Sequence, residues 1–139
     1  MSEITAGILS ICNLPIMALI LLGTFMGIIV GAIPGLSVTM GVALFLPLTF
    51  GMDPIAGLSL LCGLYIGGTS GGLISAILLK MPGTAASVGT TFDGHPMAKR
   101  GEAGKALRVG IVSSFVGGFF SILVLILISP LLASVALKF

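Results

Sequence analysis

Three long stretches of this chain carry no charged side chain. Asp, Glu, Lys and Arg are absent from residues 4–52, 54–79 and 109–137. Charged residues make up 7% of the chain and hydrophobic residues 57%, whereas a typical soluble domain is about 25% charged. Each stretch is long enough to cross a bilayer as a helix, which needs about 20 apolar residues. We therefore expect an all-α integral membrane protein with the lipid bilayer as its solvent.

Proline and glycine divide the apolar sequence into segments. Helices are expected to stop or break at Pro34-Gly35 and Pro82-Gly83, because Pro lacks a backbone donor and Gly frees the backbone. The predicted order is an interfacial helix (4–13), a transmembrane helix (14–33), a half-helix or re-entrant segment (36–50), a transmembrane helix with a glycine break (55–80), a Pro-Gly motif with a cytoplasmic loop (81–105), a transmembrane helix (106–129) and the start of a further segment (131–139). Because the last apolar segment is too short to span, we expect a fragment or a split version of a longer protein.

The basic residues predict an orientation. Four of the six Lys and Arg residues lie in the polar segment 93–108, and Lys80 lies shortly before it. Cytoplasmic loops carry an excess of Lys and Arg, so this segment is expected in the cytoplasm and Asp53 on the opposite side. The same residues form no stripe interleaved with aromatic residues, which argues against nucleic-acid binding.

Residues for catalysis or metal binding are sparse. His95 is the only histidine, and the two cysteines lie apart in apolar runs without a CxxC pair. A metal site or a Ser-His-Asp triad is therefore improbable within this chain, and no nucleophile–base pair is apparent. We expect no enzyme and no cofactor.

The two Pro-Gly breaks carry the most specific chemistry. A broken helix in lipid survives only when it is buried in protein or lines a wet cavity. The helix that follows a break directs free N–H groups and a partial positive charge at the gap, and hydroxyl residues follow both breaks. A single break would be interpreted as a kinked structural helix, but two similar breaks favour an anion site. The predicted substrate-binding residues are Pro34, Gly35, Leu36, Ser37, Pro82, Gly83, Thr84, Ala85 and Ser87. The expected donors to the anion are the free amides of Leu36, Ser37, Thr84 and Ala85 and the hydroxyls of Ser37, Thr84 and Ser87. Gly83 is expected to tolerate little substitution, and Gly101, in a solvated loop, to tolerate many.

Glycine also recurs every four residues in two places. One series is Gly23, Gly27, Gly31 and Gly35, and the other is Gly63, Gly67 and Gly71. On a helix this spacing gives a stripe without side chains, which lets another helix approach closely. The alternative is that the stripes leave room for sliding or for a ligand.

The coupling ion is predicted from an absence. No acidic residue lies inside an apolar span, so a proton-coupling carboxylate must lie elsewhere, or the coupling ion is a cation such as Na⁺. Backbone carbonyls and hydroxyls at broken helices can hold Na⁺. Because the sequence 67–72 is expected to break its helix, the candidate ion-binding residues are Gly68, Thr69, Ser70 and Gly71.

Five motifs in order resemble a known family. They are Gly27-xxx-Gly31-Ala-Ile-Pro-Gly-Leu36, Ala43-Leu-Phe-Leu-Pro-Leu-Thr-Phe-Gly-Met-Asp-Pro54, Leu64-Tyr-Ile-Gly-Gly-Thr-Ser-Gly-Gly72, Ala76-Ile-Leu-Leu-Lys-Met-Pro-Gly-Thr-Ala-Ala-Ser87 and Asp93-Gly-His-Pro-Met-Ala-Lys-Arg-Gly-Glu-Ala-Gly104. From about Leu14 onward the chain is similar to the large membrane subunit of tripartite tricarboxylate transporters.

The resemblance implies secondary active transport. It implies symport of a small carboxylate, such as a tricarboxylate, with Na⁺ or H⁺ across a bacterial inner (cytoplasmic) membrane. It also implies a repeat-containing transporter fold, of which this chain is the N-terminal half. The expected partners are a small membrane subunit, a periplasmic solute-binding protein and the missing C-terminal half.

Two other functions remain open from the residues alone. One is an ion channel or pore subunit that uses the Gly-rich breaks as a filter, and the other is a structural membrane subunit. Concentrative uptake that depends on Na⁺ or H⁺ would separate a transporter from both.

Overall fold

A computed structural model describes residues 11–136. Within that range the chain forms helices and short connections, and no strand. The helices are α1 (Leu14–Ala32), α2 (Val38–Thr49), α3 (Pro54–Leu79), α4 (Val88–Lys99) and α5 (Ala103–Ala136), with a 3-10 turn at Ala85–Ser87. Three helical stretches are long and apolar enough to cross a membrane: Leu14–Ala32, Pro54–Leu79 and Ala103–Ser129. The predicted all-α membrane class is confirmed.

The chain divides into two compact units, with the boundary after Leu107. The second unit is the apolar part of α5, and residues 111–129 are all exposed. Helix α5 continues through Pro130 to Ala136, so the start of a new segment predicted at 131 is wrong. A membrane helix tolerates an interior Pro. The interfacial helix predicted over 4–13 lies almost wholly outside the described residues, as do 137–139.

Helices α1 and α3 pack through their glycine stripes. A β-carbon placed on Gly63 would lie 2.5 Å from the carbonyl oxygen of Ile20, and one on Gly27 would lie 2.8 Å from the amide nitrogen of Gly68. The backbones themselves are therefore in contact, and the packing interpretation is confirmed for the stripe glycines inside the two helices. Gly35 lies beyond the end of α1, and a β-carbon there would meet nothing within 4 Å. Residue numbers rise together along both helices, so α1 and α3 run parallel.

Helix α2 carries the chain back from the end of α1 to the start of α3. Its first residue, Val38, packs on Gly68 of α3, and Thr49 near its end packs on Gly57. Helix α2 is therefore antiparallel to α3. Its 12 residues are about 18 Å long at about 1.5 Å per residue, which is shorter than the roughly 30 Å hydrocarbon layer. The half-helix starts at Ser37, whose Oγ accepts a hydrogen bond from the amide of Met40 at 3.2 Å.

Helix α3 is continuous from Pro54 to Leu79, and the glycine break predicted within it is wrong. Gly67 packs on the backbone of Thr24. A β-carbon added to Gly71 would lie 2.9 Å from the amide nitrogen of Ala32. This close contact with α1 offsets the helix cost of glycine, about 1 kcal/mol per residue relative to Ala. The apolar surroundings act in the same direction, because lipid leaves a broken backbone without partners.

After α3 the chain dips back beside that helix. Lys80 adopts a left-handed conformation, with φ of 58°, and reverses the chain. A β-carbon on Gly83 would then lie 3.0 Å from the Cα of Gly72, whereas Gly94 in α4 packs on Ile77. The segment 81–87 therefore runs back to the level of Gly72 before α4 runs forward again. We call this segment the re-entrant hairpin.

The loop predicted over 81–105 is largely wrong. Thr84 and Ser87 form a capping box, which starts a 3-10 turn that leads into α4 (Val88–Lys99). Thr91 and Gly94 of α4 are buried, and the burial of this face stabilises a helix whose sequence looks like a polar loop. Helix α5 begins at Ala103, so only the residues between Lys99 and Ala103 form the connection.

Candidate functional site

One cavity lies between the helix start that follows the first Pro-Gly break and the second Pro-Gly break itself. A β-carbon on Gly83 would lie 3.4 Å from the carbonyl oxygen of Gly31, three residues before the first break. A cavity of about 520 Å³ opens between the start of α2, the re-entrant hairpin and α3. It is lined by Ser37, Val38, Thr39, Tyr65, Thr69, Pro82, Gly83, Thr84, Ala85 and Val88.

The cavity lies near the middle of the long helix α3. At about 1.5 Å per residue, Gly68 lies about 21 Å from Pro54 and about 16 Å from Leu79. Gly72, which packs against Gly83, lies about 27 Å from Pro54 and about 10 Å from Leu79, so the second break lies within the length of α3, which is long enough to cross the hydrocarbon layer.

The cavity includes five of the nine predicted substrate-binding residues. These are Ser37, Pro82, Gly83, Thr84 and Ala85. Pro34, Gly35 and Leu36 are not among the lining residues, although Gly35 forms the turn before α2 with φ of 93°. Ser87 is buried, with 3% of its surface exposed, and does not line the cavity either.

On the α2 side, the free donors belong to the first turn of the helix. The amide of Leu36 is already used, since it donates to the carbonyl of Ile33 at 3.3 Å. Within residues 11–136, the amides of Val38 and Thr39 have no acceptor, as expected for a helix start. The Thr39 hydroxyl lies 3.4 Å from Ser37 Oγ, a long and exposed contact. These two amides and the Thr39 hydroxyl are the groups that a ligand in the cavity can use.

On the hairpin side, the capping box uses several of the predicted donors. The Thr84 amide donates to Ser87 Oγ at 3.0 Å, and the Ser87 hydroxyl donates to the Thr84 carbonyl at 2.8 Å. The Ser87 amide in turn donates to Thr84 Oγ1 at 3.2 Å. The expectation that the Thr84 amide and the Ser87 hydroxyl are free is therefore wrong, because local capping takes both. The Ala85 amide has no acceptor within the described residues.

The predicted ion-binding residues lie in an intact helix. Gly68 and Gly71 are buried against α2 and α1, and only Thr69 of the four residues lines the cavity. The Thr69 hydroxyl donates to the carbonyl of Ile66 at 2.8 Å, and the Ser70 hydroxyl to the same carbonyl at 3.1 Å. Ion binding at these residues stays a prediction, but a broken helix no longer supports it.

Charged side chains are absent from the lining of this cavity. The part of the chain that the structure describes contains no cluster of three or more His, Cys, Asp or Glu residues that could hold a metal ion. His95 lies elsewhere, where its Nδ1 is 3.1 Å from the carbonyl of Ile77 and links α4 to α3. The cavity therefore offers neutral hydrogen-bond donors at the start of α2 and at the start of the 3-10 turn, an arrangement that suits an anion.

Sequence reasoning included Thr39 among the hydroxyl residues after the first break, but it missed Tyr65, which also lines the cavity. Tyr65, Thr69 and Gly72 have the i, i+4, i+7 spacing of one helix face. That spacing was available in the sequence, but the expected break in α3 concealed it.

A comparison with known protein families matches residues 17–139 to the description "Tripartite tricarboxylate transporter TctA family". This match covers most of the chain. The chain belongs to the TctA family. A relative of this TctA-family chain in Agrobacterium vitis is described as an uncharacterized 52.8 kDa protein in the TAR-I ttuC' 3' region, and the two are 43% identical over 117 residues. No solved structure matches the chain.

The comparison confirms the family resemblance that the five motifs predicted. The alignment with the relative covers 84% of the TctA-family chain and 23% of the relative. The chain thus spans about a quarter of the relative's length. Together with the three apolar helices, family membership makes it a multi-pass membrane protein of a transporter family.

Proposed function

We propose that this chain is the N-terminal part of the membrane subunit of an ion-gradient-driven tripartite carboxylate transporter. Its substrate carboxylate binds in the cavity between the start of α2 and the re-entrant hairpin. The observation that carries the proposal is a single cavity lined by the first turn of α2, which follows the first Pro-Gly break, and by Pro82-Gly83, the second break. The cavity residues of α3 lie near the middle of that helix, and transporters of known type place their substrates near the bilayer midplane.

The neutral lining supports an anion held by helix ends. The amides of Val38 and Thr39 open α2, and the Ala85 amide opens the 3-10 turn. Hydrogen bonds to a charged group contribute about 1.5–3 kcal/mol each, so a few such bonds suffice for micromolar or millimolar binding. A buried Lys or Arg is then unnecessary.

Family membership supports the remaining parts of the proposal. The partners are a small membrane subunit and a periplasmic solute-binding protein, and the membrane is the bacterial inner membrane. The coupling ion is Na⁺ or H⁺. Because no carboxylate side chain lines the cavity, a proton carrier would have to lie outside it.

A charge placed at Thr39 tests the anion site. Thr39 is the second residue of α2, where a negative side chain stabilises a helix through its dipole. Thr39→Asp therefore preserves the helix but repels a bound carboxylate. At about 5 Å and an effective dielectric constant of about 20, the repulsion is about 3 kcal/mol, or roughly a hundredfold loss of affinity. Thr39→Asn is the matched neutral control and should bind within a few-fold of the wild type.

The measurements are substrate binding by calorimetry and ion-dependent uptake in vesicles, both with the complete transporter that contains this chain. Equal affinity in the Asp and Asn variants would refute an anion site at α2. A cation current that Thr39→Asp increases, without coupled uptake, would favour the channel alternative. Normal uptake in both variants would reduce this segment to a structural element.

A further inference from the structure

Tyr65 lies at the end of the cavity that is farthest from the re-entrant hairpin. Gly83 of the hairpin packs beside Gly72, and Tyr65 lies seven residues before Gly72 on the same face of α3. At about 1.5 Å per residue, the two levels are about 10 Å apart along the helix. One carboxylate at the hairpin leaves most of that length unfilled. A substrate that fills the cavity therefore has a second group near Tyr65.

The Tyr65 hydroxyl has no hydrogen-bond partner within residues 11–136, and 55% of the side chain is exposed. Tyr65 lies about 16 Å from the Pro54 end of α3, deep in the hydrocarbon layer. A hydroxyl without a partner is costly in an apolar environment. The described residues thus provide no partner, and the cavity that Tyr65 lines gives a water or a ligand access to its hydroxyl.

The surroundings on the other side of Tyr65 are apolar. A second groove of about 250 Å³ is lined by Val42, Leu61, Cys62, Tyr65 and Ile66. Tyr65 thus separates the cavity with helix-end donors from a groove that offers almost no polar surface. Of the two spaces that Tyr65 lines, only the cavity contains other hydroxyl-bearing residues and helix-end amides.

We propose that Tyr65 is a specificity-determining residue that donates a hydrogen bond to a second, distal carboxylate of the substrate. This proposal rests on the proposed function, since the first carboxylate binds at the helix starts. The site then selects compounds with two or three carboxylates over monocarboxylates of the same length. Tyr65 is the only tyrosine of the chain, and no other phenol can replace it here.

The test compares Tyr65→Phe with the wild type in the complete transporter. The probes are citrate, succinate and tartrate, each measured by calorimetry, with butyrate as the monocarboxylate of succinate's length. Loss of one hydrogen bond to a charged group corresponds to about a ten- to hundredfold weaker binding. We expect that loss for the diacids and the triacid that bind the wild type, and less than about a twofold change for butyrate, since the ring that lines the groove is retained.

Each other outcome overturns the inference in a recognisable way. Unchanged diacid and triacid binding in Tyr65→Phe refutes the hydrogen bond, whereas equal weakening of butyrate refutes the role in specificity. Thr39→Asp serves as the internal comparison, because it should weaken diacid and monoacid alike. If Thr39→Asp fails to weaken either, or if no probe binds the wild type, the proposed function fails and the role of Tyr65 fails with it.

Discussion

Replacing Gly83 with Ala tests how closely the re-entrant hairpin has to fit against the two packed helices. The new β-carbon would lie 3.0 Å from the Cα of Gly72, 3.4 Å from the carbonyl oxygen of Gly31 and 3.6 Å from Ser75 Oγ. The first two contacts are with backbone atoms of α3 and α1. Because the helices pack on each other, neither can move away alone. The hairpin has to shift outward by a few tenths of an ångström.

The expected cost of Gly83→Ala is about 1–3 kcal/mol, the usual range for an added methyl group in a packed interior. The shift moves the Ala85 amide away from its ligand, and part of the cost therefore appears in binding. We expect substrate affinity to fall by about five- to a hundredfold. The assay is calorimetry on the purified complete transporter, with thermal unfolding measured on the same samples.

Gly89→Ala is the matched control for Gly83→Ala. Gly89 lies just after the hairpin, and a β-carbon there meets nothing within 4 Å. Its affinity and melting temperature should stay close to the wild-type values. The reasoning is refuted if Gly83→Ala and Gly89→Ala bind equally well. A lower melting temperature with unchanged affinity would leave Gly83 as a packing residue only. Gly101, predicted to tolerate many substitutions, is a poor control because its φ is 83°, which strains any other residue.

Three further predictions concern packing, orientation and capping. Gly67→Ala places a methyl group against the Thr24 backbone and should lower the melting temperature by several degrees. Gly117→Ala is the control and should leave the melting temperature unchanged, because Gly117 has open space around it. Equal melting temperatures in the two variants would contradict the backbone contact. Because α1 and α3 run parallel, the start of α1 lies on the same side of the membrane as Asp53, which is predicted to lie outside. An impermeant maleimide should therefore label the exposed Cys12 in intact cells, and a cysteine at Glu102 only after the cells are opened. The reverse labelling pattern would refute the orientation. Ser87→Ala removes the capping box, so it should lower thermal stability and weaken the binding of diacids and monoacids by the same factor. A selective loss of diacid binding would instead make Ser87 a ligand.

The membrane class and several helix starts could be predicted because their signals are local. Asp53-Pro54 begins α3, and the charge-free run that follows sets its length. The turn at Pro34-Gly35 was also predicted from two neighbouring residues. Each of these features depends on the chemistry of a few adjacent positions, which the sequence displays directly.

The errors have a common physical origin in burial and environment. The break expected at 67–72 relied on glycine's weak helix preference in water, but lipid and the contact with α1 keep those residues helical. The polar residues 88–99 looked like a loop because burial of Thr91 and Gly94 is not visible in the sequence. Burial of a helix face against a distant helix can outweigh local preference.

The candidate site was predicted in part. The two Pro-Gly motifs pointed to Ser37 and Thr84, and the structure brings both to one cavity. That Gly83 meets Gly72 depends on a chain reversal at Lys80, which no local pattern specified. A hydroxyl that caps a helix and one that binds a ligand look the same in a sequence, which is why Ser87 was assigned the wrong hydrogen bonds.

The uncharged lining of the cavity has a consequence for the response to membrane voltage. Voltage acts on charge that moves through its field, with about 2.3 kcal/mol per elementary charge for each 100 mV. The cavity-lining residues contribute no Asp, Glu, Lys, Arg or His, so this part of an empty carrier would move no side-chain charge when it changes its exposed face. The charge that this part of the carrier moves through the field would then be only that of the bound substrate and coupling ions. The ratio of charge moved to substrate taken up, measured with substrates of different charge, would give the ion stoichiometry.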